Sequence, residues 1–229
     1  MAFRSDFGPS DHDKHVLRAA RLRPGGRARL YRRYVKRTLD VGLIVMALPI
    51  VLPTVLILAV LIALDGGSPF FRQKRLGLGG KVFTMMKLRT MQVDAEARLR
   101  EHLAQDDKAR AEWEAFQKLQ DDPRVTRIGQ FLRRSSLDEL PQLWNVLIGD
   151  MSLVGPRPML PEQRHLYLGH AYYVLRPGVT GLWQVSDRNN STFARRADFD
   201  ADYERSLSPA TDVRVLLATF AVVVRCTGK

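Results

Sequence analysis

The sequence predicts an α+β fold that is mainly helical: a re-entrant membrane helix, a small β-hairpin and a helical domain beside the membrane. Three observations predict it. Val41 to Leu64 is a run of twenty-four uncharged residues that contains two prolines. Basic residues crowd both of its flanks. Downstream, helical apolar spacing recurs around one glycine-rich, hairpin-like connection. The resulting division is a basic, flexible tail over 1–35, a membrane helix over 36–68 and a globular domain over 69–229.

The net charge is +12 in 229 residues and calls for an anionic partner. Residues 1–40 hold eleven Lys/Arg against four Asp, so +7 of that charge precedes the apolar run. Residues 1–26 lack apolar periodicity and do not fold alone. Arg27 to Arg37 reads as a short basic helix leading into an anionic lipid bilayer. A nucleic-acid-binding tail is the alternative, but no nucleic-acid module accompanies it, so no nucleic-acid partner is expected. The single Cys226 leaves no disulfide framework, and the five histidines show no metal-ligand spacing.

A straight helix of twenty-four residues is about 36 Å long, enough for hydrocarbon about 30 Å thick. Two features argue against a simple span. Pro49 and Pro53 lie four apart, and each interior proline removes a hydrogen bond at roughly 3 kcal/mol. A break at Pro53 leaves a first arm of about 18 Å, too short to cross. Charge is the second feature: eight Lys/Arg lie between Arg21 and Arg37, and six between Arg72 and Arg89. The positive-inside rule draws both flanks to the cytoplasm. Re-entry satisfies both; a Pro-kinked span is the alternative.

Two apolar runs, around Phe70-Phe71 and Val82 to Met91, flank Gly77, Gly79 and Gly80 and predict the hairpin. These glycines form neither a Walker A loop nor a GxGxxG. Lys87 and Arg89 alternate with Leu88 and could face phosphate or a solvated strand surface. Residues 94–120, without Gly or Pro, predict one helical stretch. Clustered cations follow, ending at Arg133 and Arg134, five and four residues before Asp138. Paired cations beside carboxylates suit a pyrophosphate.

Leu140, Leu143, Trp144 and Leu147 then fall at i, i+3, i+4, i+7 and predict one helix face, with Gly149 as its stop. Pro141 belongs near the helix start, which places Asp138 and Glu139 in the first turn. There the helix dipole would stabilise a carboxylate, making the pair candidates for a low-pKa nucleophile and a magnesium ligand. The plainer reading is a capping box, Ser136-x-x-Glu139. Beyond the helix, Pro156 and Pro158 hold Arg157 in a rigid turn suited to phosphate recognition. Arg176 to Asn189 repeats a Pro-Gly turn, a short apolar run and a loop bearing Arg188. The apolar part of Thr211 to Val224 is too short to span, so packing or interfacial binding is expected.

The runs RQKRLGLGGKVFTMMKLRTM, SSLDELPQLWNVLIGDMSLVGPRP and RPGVTGLWQVSDRN together resemble the bacterial sugar transferases. More narrowly, they resemble the monotopic polyprenyl-phosphate phosphoglycosyl transferases that start exopolysaccharide or glycoconjugate synthesis. The resemblance covers residues 36 to about 225. It implies transfer of sugar 1-phosphate from a UDP-sugar to polyprenyl (undecaprenyl) phosphate, with release of UMP, at the cytoplasmic face of the bacterial inner membrane. It further implies a covalent intermediate on Asp138, Mg2+ at Asp138 and Glu139, and phosphate contacts from Arg157; beside these, Arg133, Lys87, Arg89 and Arg188 are candidate phosphate-binding residues by their position and charge. Pro53 matches the family's membrane-break proline, with Pro49 one turn before it. Two positions depart: Leu52 replaces a serine common before that proline, and Asp187 replaces the glycine that usually precedes the loop arginine. A non-catalytic membrane-docked scaffold, with Asp138-Glu139 as a cap only, is the alternative function.

Overall fold

In a computed structural model the chain is described for residues 30–116, 119, 122–186 and 193–224. The basic tail up to residue 29 and the loop arginine Arg188 lie outside the described residues. A wide π-type turn, Tyr31–Val35, runs directly into helix α1, Lys36–Ala63. The boundary expected at 35/36 therefore falls inside continuous helix, and Tyr31 is already buried.

Helix α1 keeps helical backbone through Pro49 and Pro53, each of which leaves the carbonyl four residues before it without a backbone donor. Thr54 donates its hydroxyl to the Ile50 carbonyl at 2.7 Å, which supplies a polar contact beside the proline pair. Lys36, Asp40, Ile44, Ala59 and Ile62 are buried at helical spacing. The opposite face is bare: Met46, Ile50 and Val60 are 71%, 75% and 64% exposed, which no water-facing helix of this length sustains without a covering. Among the described residues this is the one helix long and apolar enough to cross a membrane.

Both ends of α1 dock on the same globular body. At the start, Lys36 pairs with Asp212 at 2.6 Å, and Asp40 accepts the Ser152 hydroxyl at 2.6 Å. Arg37 donates to the Val146 and Leu147 carbonyls. The basic residues nearest the apolar run thus turn towards protein rather than lipid. At the far end Ile62 packs on Leu88 and Leu132. There Arg89 donates to the Ile62 carbonyl at 3.2 Å and pairs with Asp65.

Strands β1 (Phe70–Leu76) and β2 (Val82–Leu88) form the expected antiparallel hairpin, with Phe70 opposite Leu88 and Leu76 opposite Val82. The stretch after it is two helices, α2 (Ala95–Gln105) and α3 (Asp107–Phe116), rather than one. Asp106 ends the first in extended backbone, and its carboxylate accepts from the N–H groups of Lys108 and Ala109. A side-chain cap breaks a helix as well as glycine does.

Helix α4 (Arg127–Ser135) is capped by Thr126 and closes on Ser136 in the left-handed region at φ 57°. A one-turn 3-10 segment, Leu137–Glu139, leads through Pro141 into helix α5 (Gln142–Ile148), which stops at Gly149 with φ 95°. Two expectations change here. Ser136 terminates the preceding helix instead of capping the next, so no Ser136–Glu139 capping box forms. The buried face of α5 is Gln142, Asn145 and Val146, whereas Trp144 is 56% exposed. The reason is Asn145: its amide accepts from Met86 N–H at 3.1 Å and donates to the Thr84 carbonyl at 2.8 Å. It pairs with the open edge of β2 as a neighbouring strand would.

A second, parallel pair joins β3 (Ser152–Val154) to β4 (Gly178–Thr180). Backbones approach so closely here that a Cβ on Gly178 would lie 2.1 Å from the Gly155 nitrogen. Helices α6 (Ala171–Val174), α7 (Leu182–Ser186), α8 (Arg196–Arg205) and α9 (Pro209–Val224) complete the body. One apolar core gathers Tyr31, Val154, Leu175, Tyr203, Leu207 and Val215, joining the first turn of the described chain to its last helix.

Candidate active site

Lys87 is the penultimate residue of β2, and the 3-10 turn after α4 sets Asp138 and Glu139 against it. The Lys87 ammonium lies 2.6 Å from Glu139 Oε1 and 3.6 Å from Asp138 Oδ2. Arg133, in the last turn of α4, donates from Nε to the Thr90 hydroxyl at 3.0 Å and adds positive potential at Asp138. These side chains line a groove of about 1250 Å³, together with Arg75 and Arg157. The groove is large enough for a drug-sized or nucleotide-sized ligand.

The carboxylates precede α5 instead of occupying its first turn, so the helix dipole does not hold Asp138 at low pKa. Its carboxyl is pushed above the ordinary range, chiefly by burial and also by the Glu139 charge. Lys87 and Arg133 oppose that shift. Two adjacent carboxylates offer paired oxygen donors in a partly desolvated site, a donor set that suits a hard divalent cation sharing phosphate oxygens. Among the described residues no group of three His, Cys, Asp or Glu side chains gathers as a self-sufficient metal cage.

The other expected phosphate contacts separate. Arg157 is exposed between buried Pro156 and Pro158, so the turn presents its guanidinium to the groove. Arg89 lines the groove as well, yet its guanidinium donates to Asp65 and to the Ile62, Ser68 and Met91 carbonyls. Its structural work is to hold the end of α1. The structure unites Lys87, Arg133, Asp138, Glu139 and Arg157 on one groove.

Sequence spacing missed two arginines. Arg75 on β1 donates to the Pro158 carbonyl at 3.1 Å and to the Gln73 side chain at 2.6 Å. Arg196 on α8 rests on the Trp183 ring, 4.4 Å from its centroid, and Arg157 lies over the same ring at 5.6 Å. Both arginines come from distant segments, and only the alternation around Gln73-Lys74-Arg75 hinted at an inward-facing cation.

A profile described as bacterial sugar transferase matches residues 31–226. The chain is 43% identical over 198 residues to the UDP-galactose-lipid carrier transferase of Erwinia amylovora, covering 86% of this chain and 42% of that protein. Identity to the undecaprenyl-phosphate galactose phosphotransferase of Salmonella typhimurium is 44% over 198 residues, with 86% of this chain and 42% of that protein covered. The exopolysaccharide production protein ExoY of Sinorhizobium fredii is 41% identical over 196 residues, with 84% of this chain and 87% of that protein covered. The chain thus spans about two fifths of the length of the first two of these curated relatives. The matched region takes in α1, the hairpin, the Asp138-Glu139 turn and Arg157 alike, and by that match the chain belongs to the bacterial sugar transferase family.

Proposed function

We propose that the chain transfers a sugar 1-phosphate from a UDP-sugar to polyprenyl phosphate at the cytoplasmic membrane face, beginning exopolysaccharide or glycoconjugate assembly. The observation that carries this reading is the half-buried Asp138 beside Glu139 and Lys87 on a cation-lined groove. The names of two relatives, a UDP-galactose-lipid carrier transferase and an undecaprenyl-phosphate galactose phosphotransferase, support the substrate classes.

In this reading an Asp138 oxygen attacks the β-phosphorus. The bond from that phosphorus to the bridging oxygen breaks, and its electron pair leaves with UMP. Asp138 then carries the sugar phosphate as an acyl phosphate. An oxygen of polyprenyl phosphate attacks the same phosphorus, the bond to Asp138 breaks, and the carboxylate is regenerated. Lys87 and Arg133 keep Asp138 ionised against its burial and offset the charge of the transferring phosphate. Magnesium, held by Glu139 and Asp138 with phosphate oxygens, would supply charge neutralisation on the diphosphate.

Re-entry of α1 belongs to the same proposal. Its support is that Lys36–Asp40 and Ile62–Asp65 both dock on one globular body. A span would have to leave those ends on opposite sides of the bilayer. The exposed apolar face then enters lipid while both flanks stay cytoplasmic.

Full-length protein in nanodiscs, given a UDP-sugar and Mg2+ without acceptor, should release one equivalent of UMP and gain the mass of a sugar phosphate on Asp138. Turnover that needs acceptor for any UMP release, with no adduct, would sink the covalent route. Absence of UMP release from every UDP-sugar tried, with acceptor present, would leave the scaffold reading.

A further inference from the structure

The groove and the small cavity beside it carry two separate groups of cations, and the second is not explained by the chemistry at Asp138. Arg75, Arg157 and Arg196 approach from β1, the Pro156–Pro158 turn and α8, and each of Arg75 and Arg196 feels the Arg157 charge. Burial depresses the Arg75 guanidinium and brings that of Arg196 down to about 10. The Nε atoms of Arg75 and Arg196 are buried with no hydrogen-bond partner among the described residues. Orphaned buried donors are expensive and call for an acceptor.

Local acids compensate the cluster poorly. Asp200, one helical turn beyond Arg196, accepts the Tyr167 hydroxyl at 2.9 Å. Burial pushes its carboxyl up to about 7, so near neutrality it carries only part of a charge. Glu139 and Glu162 act on Arg75, but Glu139 is already in contact with Lys87. Arg157 lines both the groove and a small neighbouring cavity walled by Trp183, Arg196 and Asp200, so it stands between Arg75 on one side and Arg196 on the other.

Resting on the proposed reaction, the geometry can be assigned by charge. Cleavage of a diphosphate leaves one phosphate on Asp138 beside Lys87 and Arg133. The other departs as a phosphate monoester and gains charge as its bridging oxygen is released. We propose that Arg75, Arg157 and Arg196 form the pocket for that departing phosphate, the phosphate of the nucleoside monophosphate. Preorganised donors aimed at the leaving oxygen favour the transition state more than the ground state.

The test is binding of UMP to full-length protein in nanodiscs, read by calorimetry and by product inhibition, with uridine as the phosphate-free control. Arg75→Gln and Arg196→Gln should each weaken UMP binding at least tenfold, and uridine should bind weakly to all forms. Lys87→Gln should lose turnover yet bind UMP within about twofold of wild type, because it belongs to the other group. Arg196→Lys should recover part of the affinity, which a purely stacking role on Trp183 would not give. Melting temperatures separate lost folding from lost binding; if a Gln variant unfolds, the matching Lys variant takes its place. UMP affinity unchanged in folded Arg75 and Arg196 variants, or equal loss in Lys87→Gln, would overturn the pocket. Tight, arginine-dependent UMP binding by a protein that releases no UMP from UDP-sugars would instead keep the pocket and reject the reaction.

Discussion

In the proposed reaction two requirements conflict at Asp138: attack on phosphorus needs an ionised carboxylate, and burial disfavours one. Lys87 and Arg133 partly reconcile them. The acid limb of the pH–rate profile for single-turnover UMP release should therefore lie above the ordinary aspartate range. Lys87→Gln should move that limb to still higher pH, and Glu139→Gln should move it lower, since one removes a cation and the other a like charge. Shifts in the same direction would show that another group titrates. The stability consequence has a definite sign. A folded-state pKa raised above the unfolded one gives stability that is present at low pH and lost as pH rises through the folded value. Asp138→Asn should thus abolish turnover while raising the melting temperature at pH 8, with the gain vanishing below pH 4. A lower melting temperature at pH 8 would mean that the charge itself holds the turn. The Asp-Glu pair and Arg157 were legible in sequence because they lie in one compact, unusual run. Asn145 and Arg196 were not, since each gains its meaning from a partner far along the chain. Asn145→Ala leaves a strand N–H and carbonyl without their partners and should destabilise the fold by about 2–4 kcal/mol in chemical denaturation.

At the scale of elements, the long apolar helix, the hairpin and the glycine stop of α5 could be read directly from composition and spacing. The β3–β4 pair could not: three residues per strand carry no alternation, and the pairing depends on the close approach at Gly155 and Gly178. Ser136 misled for a different reason. The same residue type serves as an N-cap or, at positive φ, as the end of the helix before it, and only the path of the chain decides. For α1 the competing energies can be compared. Replacing Pro53 restores roughly 3 kcal/mol of straight-helix preference. Unpairing the buried Lys36 from Asp212 loses about 3–5 kcal/mol, before the Asp40 and Arg37 contacts are counted. Pro53→Ala alone should therefore leave both flanks cytoplasmic. In a Cys226→Ser background, single cysteines placed within 30–35 and within 92–105 should both resist an impermeant thiol reagent in intact cells. Labelling of one set alone would establish a span.

For the whole molecule, Asp212 is the knot between first and last helices. It accepts hydrogen bonds from Tyr31 at 2.7 Å, Lys36 at 2.6 Å and Tyr203 at 2.5 Å. Asp212→Ala strands a buried ammonium and the Tyr31 hydroxyl, leaves Tyr203 with only the Val154 carbonyl, and should destabilise the protein by about 3–5 kcal/mol. Lys36→Met with Asp212→Leu should recover much of that loss, because replacing both partners removes the orphaned charge.

The docking of α1 by both ends has a kinetic corollary. On the proposed function, a protein so held would ride at fixed depth on the lipid surface, meeting its nucleotide substrate from three dimensions and its acceptor from two. The second half-reaction should then follow the acceptor's mole fraction in the bilayer, not its amount per volume. Diluting polyprenyl phosphate with inert phospholipid should slow it in proportion. Diluting the whole vesicle suspension in buffer, with UDP-sugar held constant, should leave the rate per enzyme unchanged.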